Sequence, residues 1–138
     1  MAKYLNATGM KELITKINEK YEKKAIILYD NASGTNSTVI LSETAANFGY
    51  LEIFYQEAAN NNTFNSVKVY APNGKRVSLT SRRLGDSKTT VFDENINING
   101  TSITVSARSN YSVNSNGISS YSFNVYGYMK INRVIGYR

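Results

Sequence analysis

From Ser120 to Arg138 the sequence alternates in a single register. Tyr121, Phe123, Val125, Met129, Ile131, Ile135 and Tyr137 occupy odd positions, while Ser120, Ser122, Asn124, Lys130, Asn132 and Arg138 occupy even ones. Side chains of a β-strand point alternately to its two faces, so the pattern predicts one apolar and one wet face over most of this length. Gly127 interrupts it where a bend or bulge would sit, and Arg133 is the one charge on the apolar side. The C-terminal segment is therefore expected to belong to the core, with Tyr121 and Tyr137 buried in it.

A chain of 138 residues can bury one substantial core. It contains neither cysteine nor histidine. Disulfides, thiolate metal sites and thiol catalysis are thereby excluded, as are histidine-dependent triads and imidazole metal ligation. The formal charge of +6 favours an anionic partner. The basic residues are dispersed, with Lys3, Lys11, Lys16, Lys20, Lys23 and Lys24 near the start and local pairs only at Lys75-Arg76 and Arg82-Arg83. The first residues lead into an amphipathic stretch rather than an apolar run, so no membrane insertion is expected, and synthesis and folding are expected in a cytoplasm.

One amphipathic helix is predicted, from Thr8 or Gly9 to about Lys24 with Thr8 as N-cap. Met10, Leu13, Ile14, Ile17 and Tyr21 follow at spacings of three and four and form an apolar stripe opposite Lys11, Lys16, Asn18 and Glu22. A helix of some four turns needs a partner surface. That surface is either the chain's own sheet or another copy or assembly; the next seam positions, Lys20 and Lys24, rule against a long coiled coil.

From Ala25 onward the chain reads as strands, with runs at residues 25–29, 38–42, 50–55, 66–70, 76–80, 89–92, 101–108 and 120–137. Polar clusters at residues 31–36, 60–65 and 114–117 are expected loops. Ala71-Pro72-Asn73-Gly74 is expected to close a hairpin pairing Val67 and Val69 with Val77 and Leu79. The expected fold is mainly β: a helical anchor or oligomerisation segment over 1–24, then an antiparallel β-sandwich or jelly-roll-like domain over 25–138.

Four kinds of site can be weighed. A histidine-free glycosidase would need two converging carboxylates, from Glu43, Glu52, Glu57 or Asp93-Glu94, but these read as single surface acids. Asp93-Glu94-Asn95 with Asn97 and Asn99 offers hard ligands without the spacing of a calcium loop, so no metal or other cofactor is assigned. The basic pairs lack any nucleic-acid-binding signature, which argues against nucleic acid as partner. Tyrosine carries the strongest signal, at 11 residues in a chain without tryptophan. Tyr50, Tyr70, Tyr111, Tyr126 and Tyr128 lie off the main apolar registers, where a ring can stack on a sugar, meet another subunit or pack locally.

The opening Lys3-Tyr4-Leu5-Asn6-Ala7-Thr8-Gly9-Met10-Lys11-Glu12-Leu13 with Lys16-Ile17 resembles the short N-terminal module of many tailed-phage fibre and appendage proteins, a Tyr-Leu-x-x-x-Gly-hydrophobic pattern before a Lys-Ile helix. The body is similar to distal β-rich modules of such proteins in several stretches, among them Ile27-Leu28-Tyr29-Asp30, residues 38–43 with Ala45-Ala46-Asn47-Phe48, residues 50–55, residues 66–75 and the closing Ile131-Asn132-Arg133-Val134-Ile135-Gly136-Tyr137. The resemblance implies a non-enzymatic virion structural protein: a homotrimeric head fibre, capsid decoration or tail appendage, bound to other virion proteins through its helix and touching host cell-surface polysaccharide. Arg133 would then be an interfacial charge between copies. The chain lacks the shaft of long fibres. The contrasting class is a free carbohydrate- or nucleic-acid-binding module of cytoplasmic origin.

Overall fold

The computed structural model describes residues 6–21, 24–58, 60–123 and 129–138. Among the described residues, helix α1 spans Ala7–Tyr21, and nine strands follow: β1 (Ala25–Thr35), β2 (Val39–Ile40), β3 (Tyr50–Glu57), β4 (Asn60–Tyr70), β5 (Arg76–Leu84), β6 (Thr89–Asn99), β7 (Ser102–Asn114), β8 (Gly117–Phe123) and β9 (Met129–Tyr137). They form an antiparallel β-sandwich. One sheet has the order β1-β9-β3-β4; the other has β2-β7-β6-β5, with β8 also pairing with β7. Leu28, Leu51, Ile53, Leu79, Ile96, Ile103 and Val134 fill the space between the sheets and are almost fully buried.

The C-terminal strand is central, held between β1 and β3, as its apolar content predicts. Its register is not single. Met129 and Ile131 point inward, and then the buried set moves to Val134 and Gly136. The cause is a bulge: Phe54 pairs with Arg133 and Tyr55 with Ile131, leaving Asn132 extra on β9. One additional residue reverses the faces that follow it, so Ile135, Tyr137 and Arg133 turn outward. Arg133 is thus not a charge on an apolar inner face. It is 47% exposed and ion-paired with Asp30 directly across the ladder. Tyr121 belongs to a separate strand, β8, and is 52% exposed rather than core.

The turn after β4 is a second correction. Tyr70 pairs with Tyr50 in one sheet, whereas Arg76 pairs with Asn97 in the other, so Ala71–Lys75 arches between sheets and does not close a hairpin. Lys75 N–H donates to Pro72 O at 3.1 Å, and Gly74 at φ 75° supplies the left-handed turn position. Gly74 N–H then donates to Ile98 O and Gly100 N–H to Asn73 Oδ1, both at 2.8 Å, which ties the arch to the β6 end of the second sheet. Ala71 itself has φ 45°. A left-handed alanine costs roughly 1–2 kcal/mol, against roughly 0.5–1 kcal/mol of extra chain entropy for glycine. Ala71→Gly is therefore expected to raise the urea midpoint by the equivalent of up to about 1 kcal/mol; a lower midpoint would refute the left-handed assignment.

The polar runs also differ from expectation. Residues 60–65 lie in β4 rather than a loop, and residues 31–34 belong to β1 as a wide bulge. Helix α1 begins one residue early, because Asn6 and not Thr8 caps it: Asn6 Oδ1 accepts the Gly9 N–H at 2.8 Å. Met10, Leu13, Ile14 and Ile17 are 46%, 43%, 52% and 43% exposed, so the stripe is not covered by the chain's own sheet. Tyr21 ends the helix, and its side chain lies outside the described residues, as do Tyr126, Gly127 and Tyr128.

Candidate functional site

The outer face of the four-stranded sheet gathers the polar and aromatic groups that the fold leaves unburied. Alternation along β3 sends Leu51, Ile53 and Tyr55 inward and Tyr50, Glu52 and Phe54 outward. Antiparallel register then sets Tyr70 and Tyr137 on either side of Tyr50. The Tyr50 and Tyr137 rings stack at 4.4 Å and 7°, and Tyr70 lies 5.4 Å from Tyr50 at a tilt of 38°. Lys68 Nζ stands 5.9 Å from the Tyr50 ring centroid. Glu52 accepts from Tyr137 Oη at 3.3 Å and from Ser66 Oγ at 3.4 Å. Desolvation and then the Glu52 carboxylate push the Tyr137 phenol up from its ordinary value. Tyr70, 67% exposed, ends this ladder at the sheet edge.

Two strand positions further along the same face lies a groove of about 630 Å³ lined by Asp30, Asn31, Ala32, Phe54, Phe64, Asn132 and Arg133. It crosses all four strands. Between the pairs Asp30–Arg133 and Thr35–Ile131, β1 spends four residues against one on β9, which lifts Asn31–Gly34 into a wall. Asn132 Nδ2 fastens that wall, donating to Ala32 O at 3.2 Å and Asn31 O at 3.5 Å. Gly34 (φ 66°) closes against the same residue; a Cβ there would lie 2.7 Å from Lys130 Cβ and 3.0 Å from Asn132 Nδ2. Asn132 is 7% exposed, and its Oδ1 has no hydrogen-bond partner among the described residues.

The structure therefore unites two of the sequence-derived tyrosines, Tyr50 and Tyr70, with Tyr137, which the alternation placed in the core. Tyr111 lies elsewhere, stacked on Tyr121 at 6.2 Å in the other sheet. Of the groove residues, the sequence reading singled out Arg133 alone, as an interfacial charge and not as part of a groove. Phe64 is hidden in an Asn-rich run that imitates a loop, and Asp30, Asn132 and Arg133 meet only through two bulges whose signal is the Asn31-Ala32-Ser33-Gly34 insertion in an apolar strand.

The candidate carboxylates are engaged. Glu57 is 2% exposed and salt-bridged to Arg83, with Oε2 unpaired among the described residues. Glu94 is 1% exposed; Arg108 Nε donates to it at 2.8 Å, and the Met129 backbone N–H also donates. Desolvation raises the Glu94 carboxyl above its ordinary value and the arginine partly reverses the shift. Asp93 accepts from Thr80 Oγ1 at 2.7 Å, and Glu43 pairs with Arg138 at 2.7 Å. Buried glutamates clamped by arginines are sequestered from a substrate. Residues 93–99 lie on the central strand β6 and not on a loop, with Glu94 turned inward; among the described residues no three His, Cys, Asp or Glu side chains group as metal ligands. Arg83 is committed to Glu57 and lies 5.1 Å from the Phe92 ring centroid, although its side chain stays 46% exposed, and Arg82 is exposed beside it. No helix among the described residues is long and apolar enough to cross a membrane. No protein-family model matches the sequence, and no curated protein matches it.

Proposed function

We propose that this chain is a non-enzymatic structural appendage of a tailed-phage virion, a head fibre, capsid decoration or tail appendage. Copies associate as a homotrimer through α1, which also meets other virion proteins, and the sandwich offers the outer face of its four-stranded sheet to host-surface polysaccharide. One observation carries the reading: the β body closes its own core, while the helix leaves Met10, Leu13, Ile14 and Ile17 about half exposed along one stripe. Full burial of such a side chain is worth about 1.5–3 kcal/mol and these are already about half covered, so each stands to gain roughly half of that, which favours association along the stripe. The Tyr-Leu-x-x-x-Gly resemblance at the N-terminus supports the same assignment.

Gel filtration with light scattering tests it on the intact protein. The expected mass is three times the chain mass of 15.4 kDa. A double substitution, Leu13→Asp with Ile17→Asp, is expected to release monomers and abolish incorporation into particles while the tyrosine near-ultraviolet dichroism of the sandwich stays unchanged. A monomeric wild-type protein at micromolar concentration would favour a free carbohydrate-binding module instead. Loss of the dichroism in the variant would mean that the stripe packs on the sandwich, and the anchor role would be lost.

A further inference from the structure

We propose that the groove between Asp30, Phe54, Phe64 and Arg133 binds a neutral saccharide. The inference deepens the host-contact reading above and rests on it only for the biological setting; the groove chemistry stands by itself. Three features define the ligand. Phe64 is 67% exposed and Phe54 half-buried, and together they give the groove an apolar side on which the C–H face of a pyranose can lie. Next to the rings, Arg133 holds Asp30 bidentately, Nη2 to Oδ2 at 2.9 Å and Nε to Oδ1 at 3.2 Å. Both side chains remain about half exposed, at 47% and 49%.

A carboxylate oxygen has a second lone pair and a guanidinium has further N–H groups beyond the two used. The pair therefore presents an acceptor and donors side by side at fixed spacing, which matches two adjacent hydroxyls of one sugar. Its net charge is zero. A phosphate or carboxylate ligand would have to compete with Asp30 for Arg133, so the groove selects an uncharged polyol despite the basic surface of the whole chain.

The site is also built in advance. The paired strands fix Asp30 opposite Arg133, and the extra residue at Asn132 sets its side chain beside Arg133 in one groove. The Asn31–Gly34 wall is held by Asn132 and by Ser33 N–H donating to Asn31 Oδ1 at 3.1 Å. An isolated surface ion pair needs neither a wall nor rings.

A monosaccharide of about twelve heavy atoms in an open groove binds in the millimolar range, so the test is a two-dimensional amide NMR titration of the intact protein. The probes are D-glucose, D-galactose, N-acetyl-D-glucosamine and L-rhamnose, with glycerol 3-phosphate as the charged comparison. At least one sugar is expected to give saturable shifts at residues 30–32, 54, 64, 132 and 133. Phe64→Ala and Asp30→Asn should each weaken that binding about tenfold or more, the size of losing a desolvated aromatic contact or a charged hydrogen bond. Leu84→Ala, an exposed position on β5 of the other sheet, should leave it unchanged, and the spectrum of each variant reports whether it is folded.

Sugar shifts confined to Tyr50, Tyr70 and Tyr137 would overturn the groove assignment, as would no shift with any neutral sugar. Response to glycerol 3-phosphate alone would make it an anion site and overturn the ligand class. Groove shifts in a protein that is monomeric by mass would keep this inference and remove the trimeric appendage reading.

Discussion

Adding one methyl group at Gly136 is expected to destabilise the sandwich by about 2–3 kcal/mol, although strand propensity alone predicts a gain. Gly136 sits on β9 at the inner face, paired with Ile26 on one side and Leu51 on the other. Its Cβ would stand 2.5 Å and 2.7 Å from two carbons of the Phe48 ring and 2.9 Å from Leu28 Cδ1. Neither neighbour can withdraw easily, since Phe48 is 4% exposed and Leu28 3%. The ring fills the space a side chain would take. Because the backbone at this position is not left-handed, Gly136→Ala isolates the packing effect from the conformational one. On propensity alone alanine should stabilise by about 0.5–1 kcal/mol, so the sign of the change in urea midpoint decides between the two accounts. An unchanged or higher midpoint would show that Phe48 does not lie over Gly136. Valine at the same position should be worse than alanine.

Gly136 also illustrates what the sequence makes legible. Strand existence follows from β-branched and aromatic runs, and the sheets were recoverable to that extent: each strand from β1 to β7 contains or overlaps a predicted apolar run. The facing of residues within a strand is a phase, and a phase is lost at any bulge. Asn132 reverses β9, yet in the sequence Ile131, Arg133, Ile135 and Tyr137 all occupy odd positions, which carries no sign of the reversal. The turn at Ala71–Lys75 shows a related limit. Pro-Asn-Gly chemistry specifies the local bend, yet the partner of each flanking strand is decided by long-range pairing, which sent β4 and β5 to different sheets. Composition misled at residues 60–65 because an edge strand with a solvated side can be nearly all polar. The Tyr50–Tyr70 contact was within reach, since both were singled out by register. The groove was not, since it depends on two irregularities in different strands facing one another.

Arg108→Met is expected to destabilise the protein by about 3 kcal/mol or more at neutral pH, and the loss should shrink as the solution is acidified. Arg108 Nε donates to Glu94 at 2.8 Å, while Nη2 reaches Asn36 O at 3.0 Å in the segment between β1 and β2. Glu94 is 1% exposed, so removing the arginine leaves a carboxylate in an apolar interior with only the Met129 N–H still donating. Burial already raises this carboxyl above the ordinary 4.5, and Arg108 is what restrains the rise. Without it the folded-state value climbs further. A glutamate whose folded value exceeds its unfolded one penalises the native state where it is ionised, above the folded value, and the penalty disappears as pH falls through that value towards the unfolded one. The variant should therefore lose most stability at pH 7 relative to wild type, recover part of it on acidification, and level off near the ordinary glutamate value. Making the substitution in a Glu94→Gln background removes the titrating group, so the difference between the Glu94→Gln variant and the double variant should no longer depend on pH. Urea denaturation of wild type, single and double variants across pH measures all three. A deficit in Arg108→Met that stays constant with pH would show that the arginine acts through Asn36 and packing, and that Glu94 is not the group it holds in the charged state.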